Sequence, residues 1–215
     1  MFDFSLSRLL SDLIFRLPAV VIALTVHEFS HAMCAYKLGD GTAKHLGRLT
    51  LNPLKHLDPI GLVCLYLFYF GWAKPVPVNP YNFRAVDGKT GMMLTALAGP
   101  MSNILMCFIC VGLVHLIPFG RSIVFTWLYV FLNYLIAVNT GLAFFNLIPI
   151  PPLDGSKILF GLLPDRLYYI TQYLERYSSI FLIVLLVSRI PEMILGPLTR
   201  GLITSFHSFY GLFLR

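Results

Sequence analysis

Residues 92–117 read MMLTALAGPMSNILMCFICVGLVHLI, and residues 123–148 read IVFTWLYVFLNYLIAVNTGLAFFNLI. Neither stretch contains Asp, Glu, Lys or Arg, and each is longer than the roughly 20 apolar residues that a helix needs to cross a bilayer. Only the short turn PFGRS (118–122) separates them. The two stretches therefore predict a helical hairpin that spans a membrane twice.

Composition separates this chain from soluble proteins. Of its 215 residues, 57% are hydrophobic and 12% are charged, whereas roughly 25% of the residues of a soluble domain are charged. The formal charge is +6, but the Lys and Arg residues are scattered between apolar segments and form no basic cluster. We therefore expect an integral membrane protein that contacts the lipid bilayer and binds no nucleic acid.

The remaining apolar segments complete the predicted topology. Residues 13–35 can span the membrane, whereas 60–72 are too few for a comfortable crossing and are typical of a re-entrant or interfacial segment. The expected fold is an all-α membrane protein, a polytopic helical bundle forming one domain over residues 1–215. It consists of an amphipathic start at 1–12, a three-span core at 13–35, 92–117 and 123–148, a re-entrant or extended region at 60–80, and one or two further C-terminal spans within 177–213.

Ionisable side chains cluster in the first span, where residues 27–31 read HEFSH. This sequence fits the HExxH pattern of zinc enzymes. His27 and His31 lie on one face of a helix, so both imidazoles can bind one Zn²⁺ while Glu28 flanks the water that the metal would activate. A glutamate inside lipid is costly unless it is paired, bound to metal or facing water. The motif therefore predicts a functional zinc site within the membrane.

A catalytic zinc site needs a third protein ligand and an open position. Most other carboxylates lie in loops or at the ends of segments, but Asp154 directly follows the span at 123–148. It belongs to NLIPIPPLDG (146–155), and a proline-broken backbone at membrane depth is tolerated only where it is buried or lines a cavity. Asp154 is therefore the candidate third ligand. Alternatively, it caps the N-terminus of a following helix, with Gly155 in the turn.

Five segments, in order along the chain, resemble the motif set of the site-2 protease family of intramembrane zinc metalloproteases. They are HEFSH (27–31), NPLKHLDPIG (52–61), GWAKPVPVNP (71–80), AGPMSN (98–103) and NLIPIPPLDG (146–155). The chain is most similar to the compact prokaryotic branch, which lacks PDZ and CBS domains. A late LDG and a GPxxN element make the match much more specific than HExxH alone.

The resemblance implies an intramembrane zinc metalloendopeptidase. In that case His27, His31 and Asp154 hold one zinc ion per chain, and Glu28 is the general base. The implied substrates are membrane proteins or peptides, cleaved within or next to a transmembrane segment. No sequence feature identifies a regulatory partner or a homo-oligomer.

Four further residues match polar positions of the family motifs. Asn103 and Asn146 either help to position the scissile peptide or form hydrogen bonds between helices, and the sequence favours neither role. His56 and Asp58 lie in the second motif, but we expect no direct ligand role for them.

The depth of the metal ligands constrains the topology. If 60–72 re-enters the membrane without crossing it, Asp154 returns to the face where the first span ends; a full crossing would place it on the opposite face. Re-entry also gathers most basic loop residues on one side, which the positive-inside rule identifies as the cytoplasm. We therefore expect a multi-pass protein of the cell membrane, with its active site nearer the cytoplasmic face.

The proline-rich run at 74–80 suggests a way to hold an unwound substrate. In an extended strand, Pro75 and Pro77 place their missing N–H groups on one edge, while Val76 and Val78 present intact backbone groups on the other. We hypothesise that this segment pairs with the substrate by strand addition. The alternative is a simple proline-rich connector.

Two other classes of protein could carry parts of this pattern. A soluble zinc protease shares HExxH but does not have this hydropathy. A metal carrier or an inactive scaffold could retain His27 and His31 but has no need of Glu28. The intact glutamate therefore favours an enzyme.

Overall fold

The computed structural model describes residues 12–68, 71–188 and 190–213. Within these ranges the regular elements are helices, and the one β-type pairing is an isolated bridge between Leu57 and Ala73. The predicted all-α polytopic helical fold is confirmed. The amphipathic start predicted at 1–12 lies, except for its last residue, outside the described residues.

The α-helices are labelled in chain order. They are α1 (Leu17–Lys37), α2 (Thr42–His45), α3 (Pro59–Phe68), α4 (Gly88–Leu116), α5 (Ile123–Asn146), α6 (Asp154–Leu162), α7 (Tyr168–Arg176), α8 (Ser178–Val187) and α9 (Ile190–Phe213). A π-helical turn, Asp12–Arg16, leads into α1.

Three helices of the described chain are long and apolar enough to cross a membrane, namely Leu13–Lys37, Gly88–Leu116 and Ile123–Asn146. These correspond to the three predicted core spans. In the C-terminal region, Asp165–Arg176 and Ser178–Val187 are long and apolar enough to cross a membrane only if they are counted together as one span, which is bent by 63°.

Short polar side chains define where the long helices begin. The Asp87 carboxylate accepts a hydrogen bond from the backbone N–H of Thr90 at 3.0 Å, which caps α4. The Ser122 hydroxyl accepts one from the N–H of Phe125 at 3.3 Å and caps α5. Between the two helices, Gly120 has a φ of +82°, a conformation that other residues rarely adopt. The hairpin predicted from sequence is closed by these contacts.

Helix α4 is the centre of the bundle, because it packs against α1, α5, α6 and α9. Gly112 allows α9 to approach closely, since a Cβ atom there would lie 2.6 Å from the ring of Tyr210. The buried apolar core comprises Ala19, Cys107, Cys110, Val111, Val114, Leu132, Leu135 and Ile136. Through α4, the fold brings the two helices that carry the candidate ligands, α1 and α6, to one place.

Residues on the two sides of α3 lie next to each other. Helix α3 has 10 residues, so it is about 15 Å long and too short to cross a bilayer. Residues 71–79, the extended segment, contain no helix or turn, and Asn79 has extended backbone angles. Leu57 and Ala73 form a bridge, and the Lys74 N–H donates to the His56 carbonyl at 2.7 Å. This out-and-back path agrees with the re-entrant alternative.

Candidate metal centre

Three side chains from distant parts of the sequence converge inside the bundle. The Nε2 atoms of His27 and His31 lie 3.0 Å apart, and Asp154 Oδ2 lies 3.1 Å from the first and 3.2 Å from the second. All three residues are buried. In the part of the chain that the structure describes, this is the group of His, Cys, Asp and Glu residues that could hold a metal ion.

Helix geometry supplies two of the three atoms. His27 and His31 are one turn apart on α1 and therefore project from the same face. Asp154 is the first residue of α6, where Leu153 occupies the N-cap position and no side chain caps the helix. The N-cap alternative for Asp154 is therefore wrong. Its carboxylate points at the imidazoles instead of closing back on its own helix.

The three atoms have the spacing and chemistry of a zinc site. Ligand atoms about 2.0 Å from a tetrahedral Zn²⁺ lie about 3.3 Å from one another, close to the separations observed. The Nδ1 of His31 lies 2.7 Å from the Thr95 carbonyl. A carbonyl can only accept, so Nδ1 carries the proton and Nε2 keeps its lone pair for a metal. The residues present therefore fit the ion.

The charge of the site also suits a cation. Asp154 is the one acidic side chain among the three candidate ligands, and its Oδ2 lies 3.1 Å from His27 Nε2 and 3.2 Å from His31 Nε2. One carboxylate and two imidazole lone pairs together form a ligand set for a divalent cation.

Glu28 lies beside the three candidate ligands and is 8% exposed. Its Oε2 accepts a hydrogen bond from the Val76 backbone N–H at 3.1 Å. Glu28, the candidate ligands and Val76 all line one cavity of about 510 Å³. The cavity thus combines a metal-binding group with a carboxylate that can accept a proton.

The predicted positioning residues divide into two groups. Val76, Val78 and Asn146 line the cavity, and the Asn146 amide also donates to the Leu142 carbonyl of its own helix at 3.0 Å. Asn103 is not part of the cavity wall and is fully buried. A direct contact between Asn103 and a substrate does not fit this position, whereas the hydrogen bond between helices that was the alternative does.

Asn103 stands behind His27. Its Oδ1 lies 2.6 Å from His27 Nδ1, and its Nδ2 donates to the Ala23 carbonyl at 3.3 Å. It therefore contacts the side of the imidazole that faces away from the candidate metal site.

Gly99 is a residue of this site that sequence reasoning missed. A Cβ atom at this position would lie 2.4 Å from His31 Nε2 and 2.6 Å from His27 Cε1. Helix α4 can therefore pack against both imidazoles only because residue 99 has no side chain. The signal was present in AGPMSN, since a glycine inside an apolar helix often marks a close approach.

His56 and Asp58 belong to the turn before α3, not to the candidate ligand group. His56 is fully buried, and its Nε2 lies 2.7 Å from the Thr50 carbonyl. Asp58 Oδ1 accepts hydrogen bonds from the N–H groups of Ile60 and Gly61, both at 2.9 Å, at the start of α3. These residues shape the turn from which the re-entrant segment departs.

Arg48 fixes the extended segment, and sequence reasoning gave it no such role. The side chain is buried, and its Nη2 donates a hydrogen bond to the Lys74 carbonyl. Burial lowers the pKa of the Arg48 guanidinium, and the charge of Glu28 partly offsets this. The Lys74 N–H also donates a hydrogen bond to the His56 backbone carbonyl. These two contacts anchor the segment at Lys74, two residues before Val76.

Known proteins resemble this chain over most of its length. "Putative zinc metalloprotease YwhC" of Bacillus subtilis (strain 168) is 39% identical over 186 residues, which cover 85% of this chain and 84% of that protein. "Putative zinc metalloprotease Rip2" of Mycolicibacterium smegmatis is 30% identical over 175 residues, covering 78% of this chain and 64% of that protein. "Putative zinc metalloprotease MJ0611" of Methanocaldococcus jannaschii is 28% identical over 149 residues, covering 68% and 69%.

No solved structure matches the chain significantly. The sequence model of peptidase family M50 matches residues 110–188, a range that includes Asp154. This range is less than half of the chain, whereas the match to the Bacillus subtilis protein covers 85% of it. The chain therefore belongs to peptidase family M50, the site-2 protease family.

Proposed function

We propose that this protein is an intramembrane zinc metalloprotease, which hydrolyses peptide bonds within or next to the transmembrane segments of membrane protein substrates. The observation that carries the proposal is the shared cavity. Glu28 and three convergent candidate ligands line it, and two of those ligands belong to a helix long and apolar enough to cross a membrane. The related proteins are named as zinc metalloproteases, which supports both the metal and the reaction in this proposal.

Each residue of the site has a proposed role. His27, His31 and Asp154 hold one Zn²⁺ per chain, and the bound ion supplies Lewis acidity for activating water and polarising a carbonyl. Glu28 is the general base: its carboxylate takes a proton from the attacking water and then passes it to the departing amine. Glu28 and both histidines belong to α1 and line the same cavity, so the proton acceptor and these two candidate ligands keep a fixed relation.

The extended segment at 71–79 is the proposed substrate-holding edge. Val76 and Val78 line the cavity, and an unwound substrate could add to them as a strand, because a helix hides its backbone groups in internal hydrogen bonds. The Val76 N–H already donates to Glu28, so pairing at Val76 requires an exchange of this bond. Asn146 also lines the cavity and is proposed to position the scissile peptide with its amide.

The proposed location is the cell membrane, with the cavity nearer the cytoplasmic face. The proposed ligands are His27, at the middle of α1, and His31, one turn nearer to its end at Lys37. Lys44, Arg48 and Lys55 follow within the next loop. Because basic loops favour the cytoplasmic side, this end of α1 is assigned to the cytoplasm.

The test compares the membrane protein fragments in cells that carry the intact protein with those in cells that carry the Glu28→Gln variant. The zinc content of both purified proteins is measured as well. We expect characteristic fragments to disappear in the variant while zinc content stays close to one per chain. Glu175→Gln, which changes an exposed glutamate of α7, is the matched control and should leave the fragments unchanged. Equal fragment patterns for the intact protein and Glu28→Gln would contradict the protease assignment.

A further inference from the structure

We propose that Asn139 is a positioning residue: it fixes the orientation of the Asn103 amide and thereby keeps the lone pair of His27 Nε2 directed at the metal site. The proposal deepens the proposed function, because it rests on His27 acting as a ligand. It concerns a fully buried residue of α5 that belongs to none of the motifs and does not line the cavity.

The polarity of a chain of hydrogen bonds can be read from its far end. Asn139 lies 2.8 Å from the backbone carbonyl of Leu135. A carbonyl can only accept, so the Asn139 atom that faces it must be Nδ2. The Oδ1 of Asn139 therefore faces away from its own helix and is left as an acceptor toward α4.

The next link crosses between helices. Asn139 Oδ1 lies 2.8 Å from the amide of Asn103, so the facing Asn103 atom must be the donor Nδ2. This leaves Asn103 Oδ1 toward His27, where it lies 2.6 Å from Nδ1. His27 Nδ1 must then carry the proton, and Nε2 is left with its lone pair. Second-sphere contacts of this kind set the tautomer of metal-binding histidines.

Reversing any member of this chain is costly. If Asn103 turned over, two amide oxygens would face each other across the 2.8 Å contact with Asn139. If Asn139 turned as well, its oxygen would face the Leu135 carbonyl, which cannot turn because it belongs to the helix backbone. The Ala23 carbonyl accepts from the same Asn103 amide only at 3.3 Å, so Asn139 supplies the shorter of the two constraints.

Two neighbouring asparagines show what is special about Asn139. Asn133 and Asn146 also lie on α5, and each donates to the carbonyl four residues earlier. Asn139 makes the same local bond but adds the contact with Asn103 on α4. All three asparagines therefore make the hydrogen bond within their own helix, and Asn139 in addition contacts the residue that stands behind His27.

The test variant is Asn139→Ser. A serine hydroxyl can keep the bond to the Leu135 carbonyl, as the Thr140 hydroxyl does with Ile136 at 2.6 Å, but it is too short to reach Asn103. The matched control, Asn133→Ser, makes the same change where no contact with Asn103 exists. Both proteins are purified as full chains, so the comparison isolates the contact between helices.

Two measurements decide the outcome without any substrate. ¹⁵N NMR of histidine-labelled, metal-free protein at alkaline pH, assigned with a His27→Asn variant, reports which nitrogen of His27 is protonated. Competition with a chelator reports zinc affinity. We expect His27 to be protonated on Nδ1 in the wild type and in Asn133→Ser, and to be a mixture of both tautomers in Asn139→Ser. Zinc should bind Asn139→Ser about 10-fold more weakly, the lower end of the loss typical of residues that contact a ligand directly, because Asn139 acts through Asn103.

A rescue variant guards against simple misfolding. In Asn103→Asp both oxygens accept, so the His27 tautomer no longer depends on which way residue 103 is turned, but the carboxylate then faces Asn139 Oδ1. The double variant Asn103→Asp/Asn139→Ser removes that conflict and should bind zinc more tightly than Asn103→Asp alone. Three results would each overturn the proposal. The first is a wild-type His27 tautomer and zinc affinity in Asn139→Ser, and the second is an equal loss of zinc affinity in Asn139→Ser and Asn133→Ser. The third is a double variant that binds zinc no more tightly than Asn103→Asp. Failure of proteolysis assays would leave these measurements intact.

Discussion

A single added methyl group at Gly99 should disable the candidate metal centre while the bundle stays folded. The alanine Cβ would lie 2.4 Å from His31 Nε2 and 2.6 Å from His27 Cε1. Ordinary contact needs about 3.4 Å, so the His31 ring must recede by about 1.0 Å. It cannot do so freely, because its Nδ1 is held at 2.7 Å by the Thr95 carbonyl. The added volume therefore falls on the ligand atoms themselves.

The size of the effect follows from the cost of overpacking. Adding a methyl group to a well-packed interior costs about 1–3 kcal/mol, and every 1.4 kcal/mol is a factor of about ten in binding. If the strain is relieved by moving the imidazoles, zinc binding by Gly99→Ala should weaken about 5- to 150-fold. Cleavage should fall by at least as much, since a misplacement of about 1 Å can cost about 100-fold in rate.

Gly141 offers the matched control for this prediction. It also lies within a membrane-spanning helix, but a Cβ atom there would meet nothing within 4 Å. Zinc affinity by chelator competition and cleavage of a membrane substrate should be measured for Gly99→Ala, Gly141→Ala and the wild type. Gly141→Ala should match the wild type in both. Wild-type zinc affinity in Gly99→Ala would refute the reasoning, because it would mean that the close approach of α4 does not constrain the imidazoles.

Two further predictions concern the extended segment at 71–79, namely Val78 within it and Asp40, which accepts a hydrogen bond from the Asn79 N–H at its end. Val78→Pro removes one N–H from the proposed substrate-holding edge, so cleavage should be lost while zinc content, measured by atomic absorption, stays normal; unchanged cleavage would exclude strand addition at this residue. Asp40 is fully buried, and although burial raises its pKa, hydrogen bonds from Thr42, Asn79 and Asn82 lower it overall. The stability that the Asp40 carboxylate contributes is therefore present above its unfolded pKa of about 4 and is lost as the pH falls through its lower folded pKa. Asp40→Asn should lower the free energy of unfolding by about 2 kcal/mol at pH 7. Thermal unfolding at acid pH should show a smaller difference between the variant and the wild type.

Much of the fold could be predicted because the membrane restricts the choices. An uncharged stretch such as 92–117 has one stable solution in lipid, a helix, and two such stretches joined by a short turn must pair. HEFSH placed two candidate ligand atoms on one face because helical spacing is fixed. Asp154 could be selected because so few carboxylates follow a span directly. In each case a local rule was sufficient.

The contacts between helices could not be predicted in the same way. Nothing local distinguishes Asn139 from Asn133, since both make the same bond within α5. The role of Gly99 depends on how closely α4 packs against α1, and that of Arg48 depends on where the chain returns after α3. Asn103 matched a motif, but its position behind His27 follows from the rotation of α4. These properties depend on tertiary packing, which sequence spacing does not determine.

The distance along the chain between the candidate ligands has a consequence for biosynthesis. His27 and Asp154 are separated by 127 residues, so a nascent chain inserts the helix with HEFSH long before α6 has been made. Until then the ribosome-bound intermediate carries two histidines and the glutamate but lacks the third ligand. If the three side chains hold zinc as proposed, the metal centre is completed only after α6 has been made, so the unfinished chain has no peptidase activity toward the membrane proteins inserted around it.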